Sequence, residues 1–121
     1  MTLKLYFPAI IWVLVILYLS AFSGPQIEIN LWFAPDKVNH FAAYFMLSVL
    51  IVWKNIKNRE RLSRNLFLII LTIGTSYGFL MEIMQYLFFP NRYFDYGDVI
   101  ANLLGNLSGL ATVQIYCLYK K

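Results

Sequence analysis

Charge is scarce in this sequence, and that scarcity decides its class. Of 121 residues only 13% are charged while 60% are hydrophobic, and the mean hydropathy is +0.63. A soluble domain carries about 25% charged and about 45–50% apolar residues, so a soluble globular protein is excluded and an integral membrane protein is expected. Cys117 is the one cysteine, which excludes an intrachain disulfide and leaves the redox compartment unread. There is no nucleotide-binding loop, no nucleophile elbow and no cysteine–histidine metal motif. There is also no internal repeat and no low-complexity tract, and the length fits one domain over residues 1–121. The net charge of +4 would point to nucleic acid in a soluble protein. Here the basic residues gather in one connecting stretch and at the C-terminus, where membrane topology places them, so no nucleic-acid partner is expected.

Long apolar runs are what the chain has instead. They predict an all-α bundle of four transmembrane helices over roughly 5–22, 37–53, 65–89 and 98–119, since a span needs about 17–25 apolar residues. In the first run Pro8 falls in the opening turns, where its missing N–H costs least. A cleaved signal peptide is the competing reading there, with Lys4 as a basic start and Ala21-Phe22-Ser23 as a cleavage site. The run exceeds an ordinary signal core of about 7–15 residues, so a retained helix is preferred. Gly24-Pro25 breaks this helix, and Leu31-Trp32-Phe33 suits the interface. The stretch Lys54 to Arg64, with five Lys/Arg and one acid, reads as a solvated basic turn in the cytoplasm. By the positive-inside rule both termini are then cytoplasmic. Gly74 with Gly78, and Gly105 with Gly109, form small-xxx-small faces for close helix approach.

Three polar stretches interrupt the apolar pattern. Asp36-Lys37-Val38-Asn39-His40 opens the second helix, with Asp36 as its N-cap and His40 and Tyr44 following at i+4 and i+8 on one face. Glu82 and Gln85 come late in the third, Glu82 up to about 12 Å below its outer end. Arg92-Tyr93-Phe94-Asp95-Tyr96-Gly97-Asp98 leads into the fourth, where Asp95 and Asp98 resemble a capping box and Asn102 lies one turn inside. In the four-span arrangement all three share the extracytoplasmic end and form a polar pocket above an apolar bundle. Ionisable residues inside a membrane are costly and are kept for a use. Glu82 is therefore expected within about 4 Å of Arg92, Lys37 or His40, because an isolated carboxylate in hydrocarbon is too costly to retain.

These motifs, Asp-Lys-x-x-His-Phe-x-x-Tyr at Asp36 to Tyr44, Glu-x-x-Gln at Glu82 to Gln85, and Arg-x-x-Asp-x-x-Asp-Val-x-x-Asn-x-x-Gly at Arg92 to Gly105, resemble the VanZ-like family of bacterial membrane proteins. The resemblance covers most of the chain from Asp36 onward, and the first helix matches in character only. It implies a multi-pass protein of the bacterial cytoplasmic membrane connected with the envelope, since the family's namesake is associated with low-level resistance to teicoplanin-type glycopeptides. It implies no established reaction.

The residues leave three function classes. The one that the resemblance favours is a binding or envelope-modulating protein whose pocket meets a lipid-linked cell-wall precursor or the glycopeptide that targets it. Its ligand-binding candidates are Asp36, Lys37, His40, Tyr44, Glu82, Gln85, Arg92, Asp95, Asp98 and Asn102. The second is a small intramembrane enzyme acting on a lipid-linked headgroup, with His40, Glu82 and Asp98 as catalytic candidates; His40 and Glu82 form the acid–base pair and Arg92 clamps an anion. His40 reads equally as a structural residue, and Asp36 and Asp95 read more simply as caps. The third, an ion pathway, is disfavoured because the inner halves of the helices offer little beyond Ser48, Thr72, Ser76 and Thr112. No cofactor is expected. A metal held by His40, Glu82, Asp95 and Asp98 fits by ligand type but is disfavoured by the nearby charges of Arg92 and Lys37.

Overall fold

The computed structural model describes residues 3–22, 35–88 and 94–119. All elements among the described residues are helical: α1 (Leu3–Phe22), α2 (Pro35–Ile51), α3 (Trp53–Asn58), α4 (Arg64–Phe88) and α5 (Tyr96–Tyr119). α1, α4 and α5 are long and apolar enough to cross a membrane. α2 is shorter, at 17 residues.

The burial pattern is that of a membrane bundle. The inward stripe of α4 is Ile70, Gly74, Gly78, Glu82 and Gln85, while Ile69, Ile73, Leu80 and Leu87 face outward. On α5, Asp98, Asn102, Gly105, Asn106 and Gly109 are buried, and Leu103, Leu104, Leu107, Ile115 and Leu118 are exposed. Small and polar residues inside with large apolar residues outside reverses the soluble pattern. It suits a lipid surround, where helices associate through close packing and interhelical polar contacts.

α2 packs most extensively against α5, and glycine sets the closeness. A Cβ on Gly105 would run into the backbone carbonyl of Phe41, and one on Gly109 into Ser48 Oγ and, at 2.6 Å, the carbonyl of Phe45. Against α4, Gly78 receives the side chain of Asn102 and Gly74 that of Asn106. α1 lies across α2 and α4, tied by three bonds to main-chain carbonyls. Trp12 Nε1 donates to Ala43 O (2.8 Å), Tyr77 Oη to Val13 O (2.9 Å) and Gln85 Nε2 to Ser20 O (3.0 Å). These ties satisfy polar side chains where lipid offers no partner.

The connection between α2 and α4 corrects the expectation of a plain solvated turn. α2 passes through Val52, whose N–H bonds Ser48 O, into the additional helix α3. Arg59, in the left-handed region at φ 55°, ends α3, with Arg59 N–H bonding Ile56 O and Glu60 N–H bonding Asn55 O as in a Schellman motif. Leu62 is buried with Val52, Ile70, Leu110, Val113 and Cys117. Gln114 holds its backbone from both sides: Leu62 N–H donates to Oε1 (2.8 Å) and Nε2 donates to Leu62 O (3.0 Å). The basic side chains hid one anchored leucine in an otherwise polar stretch.

α2 begins at Pro35, a residue pre-set for the first helical position. Asp36 is therefore the second residue of the helix and not its N-cap, because the chain is already helical one residue earlier.

Candidate functional site

Three helix ends meet at one end of the bundle. α2 and α5 start there and α4 finishes there, so residues far apart in sequence come together. His40 lies five residues into α2 and Glu82 six residues before the end of α4, about 8 and 9 Å from those ends at about 1.5 Å per residue. Asp98 is the third residue of α5. Glu82, Asp98 and Asn102 are each only 1% exposed.

His40 is the hub. Its Nδ1 is 3.1 Å from Asn102 Oδ1. An amide oxygen only accepts, so Nδ1 carries the proton of this contact. The ring is thereby turned so that Nε2 faces the two acids, 3.8 Å from Glu82 Oε1 and 3.6 Å from Asp98 Oδ2. The expected pairing of Glu82 within about 4 Å of a basic group is met, by His40. His40 Nε2 and one oxygen each from Glu82 and Asp98 lie within 4.8 Å of one another, a grouping able to hold a metal ion.

Lys37, one turn earlier on α2, closes the outer side. Its Nζ donates to Asp95 Oδ2 (2.8 Å) and is 3.6 Å from Asp98 Oδ1. Asp98 thus divides its oxygens, one toward Lys37 and one toward His40. Asp95 is the cap of α5: its Oδ1 accepts from Gly97 N–H (2.7 Å) and its carbonyl accepts from Asp98 N–H. The Asp95–Asp98 pairing read as a capping box is therefore a division of labour, with Asp95 capping and Asp98 turned into the site. Gly97, which the sequence reading passed over, leaves room for Lys37; a Cβ there would lie 2.6 Å from Lys37 Cε. A glycine between two acids in a first helical turn was the available signal.

Partial burial raises the Asp95 carboxyl pKa, but the Lys37 hydrogen bond and charge and the Gly97 and Asp98 amides outweigh it, so the group sits below its ordinary value. A depressed carboxyl pKa gives stability present above the unfolded value and lost as pH falls through the folded one. The α5 cap should then hold at neutral pH and open only in acid, below the usual carboxylate range. Amide exchange at Gly97 and Asp98 against pH checks this. Asp95→Ala should remove that pH dependence and cost about 1 kcal/mol, the usual value of a cap.

Two further candidates make other contacts. Gln85 is spent on Ser20 O of α1. Tyr44 is buried in an apolar cluster with Ile16 and Leu47, its ring centroid 6.3 Å from that of Tyr77. Arg92 and the side chain of Asp36 lie outside the described residues. Phe79, Tyr86, Phe94 and Tyr96 line a shallow aromatic groove at the same end. Phe94 stands edge-on to both Phe79 (5.6 Å) and Tyr96 (4.9 Å), in keeping with an interfacial aromatic belt.

Comparison with known proteins identifies the family. The family model described as VanZ/LLP1 matches residues 5–117, nearly the whole chain. An uncharacterised protein of the fission yeast Schizosaccharomyces pombe is 35% identical over 94 residues, covering 76% of this chain and 54% of that protein. The chain thus spans about half the length of the curated relative it matches. No solved structure matches.

Proposed function

The chain belongs to the VanZ/LLP1 family, and from that premise we propose that it is a four-span protein of the bacterial cytoplasmic membrane whose buried polar site receives the headgroup of an envelope amphiphile. The amphiphile is a lipid-linked cell-wall precursor, or the teicoplanin-type glycopeptide that competes for it, and occupancy modulates susceptibility to the drug. The observation carrying the proposal is the meeting of His40, Glu82, Asp98 and Asn102 at one end of an apolar bundle. Two fully buried carboxylates are costly in a membrane and are characteristic of a functional site. Among the described residues the site gathers three carboxylates, of Glu82, Asp95 and Asp98, around Lys37 and His40, and these offer acceptors to the hydroxyl and amide groups of such a headgroup.

Expressed in a glycopeptide-susceptible bacterium, the wild-type chain should raise the inhibitory concentration of teicoplanin. Glu82→Gln, nearly isosteric, should return it to the vector level at equal abundance in the membrane. An unchanged inhibitory concentration with wild type, or full activity of Glu82→Gln, would remove the proposal.

The orientation calls for its own test. On this reading both termini and the α2–α4 connection lie inside the cell, and the site outside. Single cysteines at Gln26, Asn58 and Asn91, in a background with Cys117 replaced, should react with an impermeant maleimide in intact cells at positions 26 and 91 only. The reverse pattern would put the site on the cytoplasmic side.

One observation favours a second reading, an enzyme acting on the lipid-linked headgroup. Asn102 orients His40 as a third group orients the base in acid–base pairs, and Glu82 stands beside it as acid or nucleophile support. Turnover of a labelled lipid-linked precursor by the purified chain, abolished by His40→Gln, would select this reading over simple binding.

A further inference from the structure

The spacing around His40 is wrong for hydrogen bonds and right for a cation. A nitrogen–oxygen hydrogen bond needs about 2.7–3.2 Å, and Nε2 stands at 3.6 and 3.8 Å from the two carboxylates. Two ligands on one tetrahedral ion, each about 2.0–2.2 Å from it, lie about 3.4 Å apart. Small side-chain rotations therefore bring all three atoms onto a single centre.

A second feature points the same way and is independent of the spacing. Nδ1 is committed as donor to Asn102 Oδ1, which turns Nε2 toward the acids, the direction in which a neutral ring offers its lone pair. A ligating histidine is held in this manner, its other nitrogen donating to an outer-shell oxygen that fixes tautomer and ring orientation.

Lys37 stands at the other oxygen of Asp98. Its Nζ is bonded to Asp95 at 2.8 Å and lies 3.6 Å from Oδ1 of Asp98, whereas His40 faces Oδ2. The ammonium therefore balances charge from outside and leaves Oδ2 for the centre.

We infer that His40 Nε2, Glu82 Oε1 and Asp98 Oδ2 bind one divalent first-row transition-metal ion, with Asn102 as the positioning residue. The imidazole ligand selects this class over Mg²⁺ and Ca²⁺, which prefer all-oxygen sites. The half-buried edge of His40, 19% exposed, is the entry side and leaves coordination open toward the membrane surface, where an anionic headgroup oxygen would complete it. The metal site goes beyond the headgroup reading and requires no amphiphile to be present.

The test uses the full chain in nanodiscs, stripped by a chelator and titrated with Zn²⁺ alone. One Zn²⁺ per chain should bind, and His40→Gln and Glu82→Gln should each abolish stoichiometric binding while circular dichroism and gel filtration stay unchanged. Asn102→Ala should weaken binding about 10–100-fold, the usual effect of losing an outer-shell partner. Should a ligand variant fail to fold, the wild type alone decides: Zn²⁺ must shift the ¹⁵N resonance of His40 Nε2, the only histidine. No stoichiometric Zn²⁺, an unmoved Nε2 resonance, or binding retained by His40→Gln and Glu82→Gln (an adventitious ion only) each overturns the inference. Because no glycopeptide or lipid precursor enters the assay, its failure leaves the susceptibility reading standing, and the converse also holds.

Discussion

Asp98→Ala should remove most of the folded protein from the membrane, at a cost of about 3–5 kcal/mol in unfolding free energy. Asp98 is 1% exposed and, among the described residues, is the acid that faces both Lys37, at 3.6 Å, and His40, at 3.6 Å. Truncation removes the carboxylate that stands between Lys37 and His40 at the start of α5. Removing one member of a buried charged group costs more than the group contributes as a whole, because the partners stay buried without it. Asp98→Asn keeps the shape and part of the hydrogen bonding, so its cost should be clearly smaller. Reversible unfolding in bicelles, with both variants beside wild type, checks the magnitude and the order. Equal stability of Asp98→Ala and wild type would mean that the carboxylate carries no structural load.

The second large effect lies in packing. Gly105→Ala adds a single methyl, but that methyl meets the main-chain carbonyl of Phe41 and then the Phe45 amide at 3.1 Å. Backbone cannot rotate away as a side chain can, so α2 and α5 must part. Overpacking of this kind costs about 1–3 kcal/mol, occasionally more. Separation of α2 from α5 would also pull His40 away from Asn102, so the site and the fold should weaken together. Leu104→Ala, one residue earlier on the exposed face of α5, should change little by comparison. Thermal stability in detergent, read by loss of monodisperse protein, ranks the two. A Gly105→Ala protein as stable as Leu104→Ala would show that the close approach is not needed.

The parts of this architecture that the sequence made legible are those where polarity is out of place. Glu82 in an apolar run, Asp36 to His40 at a helix start and Arg92 to Asp98 before another marked three helix ends. Their order along an up-and-down chain put them at one end of the bundle, and His40, Glu82, Asp98, Asn102, Lys37 and Asp95 do meet there. The glycine pairs were legible for the same reason, since small-xxx-small spacing has one common use in membrane helices.

What the sequence concealed is which polar residues face the site and which tie helices together. Gln85 and Glu82 sit three residues apart on the same buried stripe, yet Gln85 reaches across to a carbonyl of α1. Nothing in the spacing separates these outcomes, because the position of α1 decides between them. Tyr44 follows the periodicity of His40 but points into the apolar cluster with Ile16 and Leu47. The start of α2 lies two residues earlier than expected, because Asp and Pro are both good helix openers and here Pro35 precedes. α3 and the anchored Leu62 were hidden in a basic stretch whose composition reads as loop, while the contact that orders it, Gln114, lies 52 residues away.

The central claim is that His40, Glu82, Asp98 and Asn102 form one site, and a single histidine makes it directly measurable. With ¹⁵N-histidine incorporated, the protein in nanodiscs shows the imidazole signals of His40 and no other residue. The arrangement predicts a protonated, hydrogen-bonded Nδ1 that is lost in Asn102→Ala, and an Nε2 resonance that moves in both Glu82→Gln and Asp98→Asn. Signals at the positions of a free imidazole at the same pH, unmoved by all three substitutions, would contradict it.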